Sequence, residues 1–479
     1  MKQIRLKVTI ILSLIIAVSI SVRVFAGNVI LIIGDGMDDQ QISIARNYLV
    51  GATGKLSLDN LPVRSNVQVL TVSDRFPKHP VYVADSANSA TSMASGVVTS
   101  QGRIGTTAGT DEDVVNIIEL AHQQGIRTGV VTTASITDAT PAAFYAHTNS
   151  RGCQNPAMMV NAEFYPRVFV DCSADLKSNG GKGSISEQLI NSGVDVMLGG
   201  GLKHFTLPSE GDGDEVIALA EQAGYQLALD PEELDSIEQG KLLGLFSPST
   251  MPVIWRGESD RAAERSEMTW PSMIHWSLGE AIVPEPMRCE QNPQFISLPT
   301  LAQMTDKALS ILDSDESDFF LMIESASIDK QAHYRKTCGS IGELKQLNDA
   351  LDSAINYAQS HPDTLILVTA DHGHAAQIVP DSSLFAASPY PIFRPGHLSR
   401  IITPQGHIMA VNYATTDFIT EEHTGVTVPL IANKVGQGLF PSMITQPHIF
   451  NIVKDYLFQK DLILRDNSSP QGPKTNERH

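Results

Sequence analysis

The chain has 479 residues, 42% of them hydrophobic and 18% charged, and a formal net charge of −19. This composition provides a large apolar core and excludes nucleic-acid binding through a broad basic surface. An anionic substrate would need local positive charge, from metals or a placed arginine.

Residues 1–26 read as a signal peptide. Lys2, Arg5 and Lys7 form its positive start, Val8 to Val22 is mostly apolar, and Val24-Phe25-Ala26 fits cleavage before Gly27. The apolar run is short for a membrane anchor, and Arg23 interrupts its end. No second span of membrane length follows, so the mature chain is expected to be exported, periplasmic or secreted.

Asn28 to Ile33 is a continuous apolar run rich in β-branched residues, the pattern of a strand buried on both faces. Gly34-Asp35-Gly36-Met37-Asp38-Asp39 follows. Its glycines allow a tight turn that projects Asp35 from the strand's C-terminal end, where open α/β sheets build their sites. Gln40 to Val50 is predicted helical. After Val81-Tyr82-Val83 comes Asp85-Ser86-Ala87-Asn88-Ser89-Ala90-Thr91, with a helix start over Ala90 to Gly96. Ser86 there lies beside unpaired helix-terminal amides and is suited to meeting an anion, although such residues also make ordinary caps. Asp113 to Gln124 is predicted as an amphipathic helix and Thr128 to Thr133 as a strand; the following loop carries Asp138 and Thr140. Arg151 comes shortly before Cys153.

Ser186 to Asn191 reads as helix and Val194 to Leu198 as strand. Residues 203–299, with many prolines and glycines and all three tryptophans, read as helical and loop elaboration on the main sheet. The helix Leu301 to Leu312 leads to a buried strand, Phe319 to Ile323, that runs into Glu324 and then Asp329-Lys330-Gln331-Ala332-His333. Asp329 and His333, four apart, share a helix face and can hold one cation, while Glu324 is placed for a different ion. The helix Ile341 to Gln359 precedes the strand Thr364 to Thr369, which ends in Asp371-His372-Gly373-His374. Residues 379–410 read as surface loop with a late strand, Ile408 to Asn412. His423 precedes the last strand, Val428 to Ala432, and the tail from about Asp466 is polar.

Length alone would allow roughly two to four domains. The acidic and histidine loops, however, run from residue 35 to residue 423. The expected fold is therefore α/β: one large three-layer domain with a mainly parallel central sheet flanked by helices, plus surface insertions. It would span 27–465, between the signal peptide and the polar tail 466–479. Four cysteines, Cys153, Cys172, Cys289 and Cys338, favour disulfides in an exported chain. They allow three pairings, of which nearest-neighbour pairing closes the shortest loops. None forms a Cys-x-x-Cys arrangement, which argues against a thiolate zinc site.

Taken together, the strand ends and loops offer Asp35, Ser86, Asp138, Thr140, Arg151, Glu324, Asp329, His333, Asp371, His372 and His423. Histidine and carboxylate ligands without thiolate suit zinc; a carboxylate, hydroxyl and water set suits magnesium. Two cations roughly 4 Å apart clamp the attacking and leaving oxygens of a displacement at phosphorus. An arginine binds the non-bridging oxygens, and a metal-ionised serine supplies a covalent step.

In these motifs the chain resembles bacterial alkaline phosphatases. The resemblance rests on Ile33-Gly34-Asp35-Gly36-Met37, Asp85-Ser86-Ala87 with Ser89-Ala90-Thr91, Asp138-Ala139-Thr140-Pro141-Ala142-Ala143, Glu324 to His333, Thr369-Ala370-Asp371-His372 and Glu422-His423-Thr424-Gly425. It implies hydrolysis of phosphate monoesters with two zinc ions and one magnesium ion. Ser86 would be the phosphorylated nucleophile and Arg151 the phosphate grip. Asp329, His333 and His423 would bind the first zinc, and Asp35, Asp371 and His372 the second. Asp35 would bridge to magnesium, completed by Thr140 and Glu324, with Asp138 acting through water. Lys330 would touch the phosphate through water and pair with Asp138. The resemblance also supports the pairing Cys153–Cys172 and Cys289–Cys338, and it implies a homodimer, although family members that embrace a second subunit with an N-terminal arm carry more chain before the first strand.

Asp38 stands where the family usually has glycine, adding a carboxylate near the metals. His374 is expected to support the second zinc site from behind its ligands, and His407 to be a loop residue. A phosphodiesterase of the same superfamily is the nearest alternative; Arg151 and Lys330 together favour a monoesterase. A sulfatase would need a Cys/Ser-x-Pro-x-Arg context that Asp85 to Thr91 lacks. A non-catalytic exported metal- or phosphate-binding protein would need no serine nucleophile.

Overall fold

The computed structural model describes residues 27–211, 213–275, 278–279, 281–314, 317–382 and 394–458; the expected signal peptide and C-terminal tail lie outside them. Among the described residues, ten strands form the main sheet: β1 (Val29–Gly34), β2 (Val63–Gln68), β3 (Arg127–Ser135), β4 (Val196–Gly200), β5 (Tyr225–Ala228), β6 (Lys241–Leu245), β7 (Phe319–Ser325), β8 (Leu365–Ala370), β9 (Val428–Ala432) and β10 (Met443–Thr445). They lie side by side in the order β10-β2-β9-β8-β1-β7-β3-β4-β6-β5. Every pairing from β8 to β5 is parallel. Only β9 runs against its neighbours.

The apolar runs explain the centre of this sheet. β1, β7 and β8 are buried at every residue, as strands covered on both faces must be. One group of helices comprises α1 (Asp39–Leu49), α4 (Leu301–Leu312), α5 (Ser327–His333) and α6 (Thr337–Ser360); α6 packs on α1, α4, α5 and the central strands. A second comprises α2 (Ser86–Ser95), α3 (Ile117–Gln123) and α7 (Gln446–Phe458), with α7 packed on both others. α4 shows why such segments become helices. It buries Leu301, Met304, Thr305, Ala308, Leu309, Ile311 and Leu312 along one stripe, and the Thr300 and Gln303 side chains cap its start reciprocally.

Register places the site. Gly34 lies opposite both Ser325 and Ala370, so β1, β7 and β8 end level and the residues after them emerge together. Several expectations need correction. The helix expected from Asp113 starts at Ile117, because Asn116 and Glu119 form its reciprocal cap and Asp113 bridges back to Thr106. The 203–299 region is more than elaboration: it supplies β5 and β6, whose short length hid them among the glycines. Within 379–410, His397–Ile402 is a strand paired with Ile408–Tyr413. Cys153 bonds Cys172 and Cys289 bonds Cys338. Among the described residues, no helix is long and apolar enough to cross a membrane.

Candidate active site

The turn after β1 carries Asp35, whose N–H bonds the Ser325 carbonyl at the end of β7. Gly36 follows at φ +67°, with Asp329 so close that a Cβ there would sit 3.1 Å from the Asp329 Cβ. Glycine is favoured on both counts, and the Gly36 N–H donates to Asp371 Oδ1 at 2.9 Å. Ser86 is the first residue of α2, whose N-cap is Asp85. All ten residues of that helix are buried. The Ser86 Oγ lies 3.4 Å from Asp35 Oδ1 and 3.3 Å from His372 Nε2.

Two groups of histidine and carboxylate converge here: Asp35, Asp371 and His372, and Asp329, His333, His374 and His423. Backbone carbonyls fix the imidazoles. His372 Nδ1 faces the Gly373 carbonyl, His333 Nδ1 the Glu421 carbonyl and His423 Nδ1 the Ala84 carbonyl. A carbonyl only accepts, so each Nδ1 holds a hydrogen and Nε2 is the ring atom turned inward, the one that can give its lone pair to a cation. The Nε2 atoms of His333 and His423 then stand 3.1 Å apart, both beside Asp329. Imidazole nitrogens converging on one carboxylate are the donor set of a cation site. Asp371 Oδ2 and Thr140 Oγ1 are buried without a hydrogen-bond partner among the described residues, as atoms waiting for a cation would be. The two groups touch: the His372 and His423 rings stack with centroids 3.7 Å apart.

Charge crowding is visible in the acidities. Burial, then the charges of Asp329 and Asp371, push Asp35 well above the usual carboxylate range. Burial pushes Asp371 up to about 6 and Glu324 up to about 7. Glu324 also accepts a short hydrogen bond from the Thr132 hydroxyl. Beside them runs a chain of ion pairs. Arg151 Nη1 holds Asp85 Oδ2 at 3.3 Å and Nη2 holds Asp138 Oδ1 at 3.0 Å, while Lys330 Nζ holds Asp138 Oδ2 at 2.6 Å. Burial alone would raise Asp138, but Lys330 and Arg151 outweigh it and hold the carboxyl far below its ordinary value. The pairs pin a guanidinium whose Nε is buried with no partner among the described residues.

A family profile for alkaline phosphatase matches residues 26–395. The chain belongs to the alkaline phosphatase family. It is 39% identical over 427 residues to the alkaline phosphatase of Escherichia coli K12, covering 86% of this chain and 83% of that protein. It is likewise 39% identical over 422 residues to a streptomycin-6-phosphate phosphatase of Streptomyces griseus, covering 85% of each. The fold matches the solved alkaline phosphatase of the Antarctic bacterium TAB5 with a TM-score of 0.62 at 23% identity, over 90% of this chain and 97% of that one. The chain is thus an enzyme of the alkaline phosphatase family, a metal-dependent hydrolase of phosphate monoesters.

Of the residues expected from the sequence, the structure brings Ser86 to Asp35, Asp371 and His372, sets Asp329, His333 and His423 beside them, and ties Arg151, Asp138 and Lys330 into one chain of ion pairs; it moves one neighbour and defines another. His374 belongs beside Asp329, not behind the Asp35 group. Its Nδ1 accepts from the Ala375 N–H at 2.7 Å, so Nε2 carries the hydrogen and faces Asp329 Oδ1 at 3.2 Å. Asp38 is buried; it caps α1 by accepting from the Gln40 and Gln41 N–H groups at 3.0 Å and also faces the His374 backbone N–H. His407 is an exposed loop residue, as expected. Sequence reasoning did not single out Thr132 on Glu324, Glu421 behind His333, or Gln446, whose amide bonds the Asp371 carbonyl. No local pattern marks these residues. The role of Asp85 in holding Arg151 was readable only as an acidic neighbour of Ser86.

Proposed function

We propose that the monoester is cleaved through a phosphoserine at Ser86. The observation that carries this reading is the Ser86 Oγ standing within 3.4 Å of Asp35 Oδ1 and His372 Nε2, both members of one cation-ready group. When bound, a zinc in that group would lower the pKa of the serine, a zinc at Asp329, His333 and His423 would acidify the incoming water and steady the leaving oxygen, and magnesium at Asp35, Thr140 and Glu324 would add positive charge. A solved variant of the TAB5 enzyme carries Mg in its M3 site, which supports a third ion here. Ser86 Oγ bonds to phosphorus as the ester P–O bond breaks and the alcohol departs with a proton. Water then attacks the phosphoserine, returning the Oγ proton and releasing inorganic phosphate. Arg151 holds two non-bridging oxygens throughout, pre-aimed by Asp85 and Asp138. Lys330 balances Asp138 and adds positive charge beside the phosphate. In this reading residues 27–465 form the catalytic domain of an exported enzyme, with 1–26 removed and 466–479 a tail.

The test is hydrolysis of p-nitrophenyl phosphate against its bis ester at alkaline pH, with and without chelator. The expected result is monoester preference, loss on chelation, and loss of most of the rate in Ser86→Ala with the fold retained. Full activity in Ser86→Ala would overturn the covalent step, and diester turnover matching the monoester would favour a diesterase.

A further inference from the structure

Between α5 and the 250–256 segment lies a cavity of about 350 Å³, a size that takes a small organic group. It shares a wall with the phosphate-gripping residues, because Lys330 lines it and the Lys330 ammonium is the group that holds Asp138. Met251 lines it too, and the Met251 N–H bonds the Thr133 carbonyl of β3, the strand that leads to Asp138. The cavity therefore sits on the same carboxyl-end rim of the sheet as the candidate active site.

Its charge contrasts with the rest of the chain. Arg256, Lys330 and Lys336 face it against one acid, Asp260, in a protein whose formal net charge is −19. Lys336 is occupied by Asp260 at 2.9 and 3.0 Å, and Lys330 by Asp138. Arg256 differs. Only its Nε is engaged, by Glu290 Oε1 at 2.9 Å. Its two terminal nitrogens have no hydrogen-bond partner among the described residues, and such a fork matches a carboxylate or phosphate.

We infer that this cavity receives the alcohol half of the substrate and selects phosphate monoesters whose alcohol carries a second anionic group, a carboxylate or a further phosphate. The inference rests on the phosphatase reading above. Arg256 takes the distal anion, and Lys330 lies between that anion and the phosphate that reacts.

The experiment compares hydrolysis of phenyl phosphate and 4-carboxyphenyl phosphate by the wild-type enzyme, Arg256→Gln and Arg256→Lys. The intrinsic reactivities of the two phenols cancel when the ratio of kcat/KM values is compared between proteins. The expected result is a carboxylate preference that falls by about tenfold in Arg256→Gln, mainly through KM, and partly returns in Arg256→Lys. Phenyl phosphate turnover should be unchanged in all three. If Arg256→Gln does not fold, Arg256→Lys, which keeps the charge but loses the fork, is read by the same ratio and should still show a reduced carboxylate preference. A ratio equal in wild type and variants overturns the inference. Failure of the wild-type enzyme to hydrolyse either ester would instead overturn the phosphatase reading.

Discussion

Arg151→Ala gives the sharpest measure of how the site holds phosphate. Two donors of the guanidinium are committed, to Asp85 at 3.3 Å and Asp138 at 3.0 Å, so it meets a phosphate already oriented. A hydrogen bond to a charged partner contributes about 1.5–3 kcal/mol, and a forked contact makes two. Water entering the vacated space would recover part of this, leaving a loss of about 2–4 kcal/mol. At about 1.4 kcal/mol per decade that is roughly a 30- to 1000-fold fall in kcat/KM. The grip acts on free phosphate as well as on the ester, so the inhibition constant for inorganic phosphate should rise alongside. Asp138 keeps Lys330 at 2.6 Å, so the fold should survive the change. The assay is steady-state hydrolysis of p-nitrophenyl phosphate with phosphate as competitor, with the metal content of each protein measured in parallel. If both constants stayed within about threefold of wild type at full metal content, the reasoning would be refuted.

Two further expectations concern stability. His204 is buried with Nδ1 held at 2.8 Å by the Asn155 amide, and burial, aided by Lys203, pulls its pKa from 6.5 down to about 4. Below pH 6.5 the unfolded chain takes up a proton that the native imidazole refuses until about pH 4, so stability falls as pH drops through that window, by about 3 kcal/mol in total. Denaturant titrations should show this loss reduced in His204→Gln; an unchanged pH slope would count against it. The Cys289–Cys338 bridge closes a separation of 49 residues and Cys153–Cys172 one of 19. Loop entropy gives them about 4 and 3 kcal/mol respectively, so replacing the first pair with serine should lower Tm more. The opposite order would show that native-state packing, not loop length, sets their worth.

The parts of this molecule that were legible from sequence are those with a local physical signature. Asn28 to Ile33, Phe319 to Ile323 and Thr364 to Thr369 advertise buried parallel strands by their unbroken apolar runs, and the structure places β1, β7 and β8 there within a residue or two. Asp35, Glu324, Asp371 and His372 were found because they follow those runs directly. β2 escaped because alternate residues along it are exposed and polar, and β5 and β6 because four or five residues amid glycines carry little pattern. His374 was assigned to the wrong ion group for a related reason. It sits two residues from His372, but the short strand Gly373–His374 pairs with His423–Thr424 and turns the ring toward Asp329. Sequence proximity gave no hint of that pairing.

The order of the sheet has a consequence for how the chain is made. β2 is synthesised early, yet its only neighbours in the main sheet are β9 and β10, both near the far end of the chain. Until residue 432 exists, β2 has both edges open, and an open strand edge invites pairing with another chain. A carrier that keeps the nascent chain unfolded, or a surplus of chaperone, would therefore protect residues 63–68 above all. A truncation just before β9 would leave β2 without a seat, more than three hundred residues from the cut.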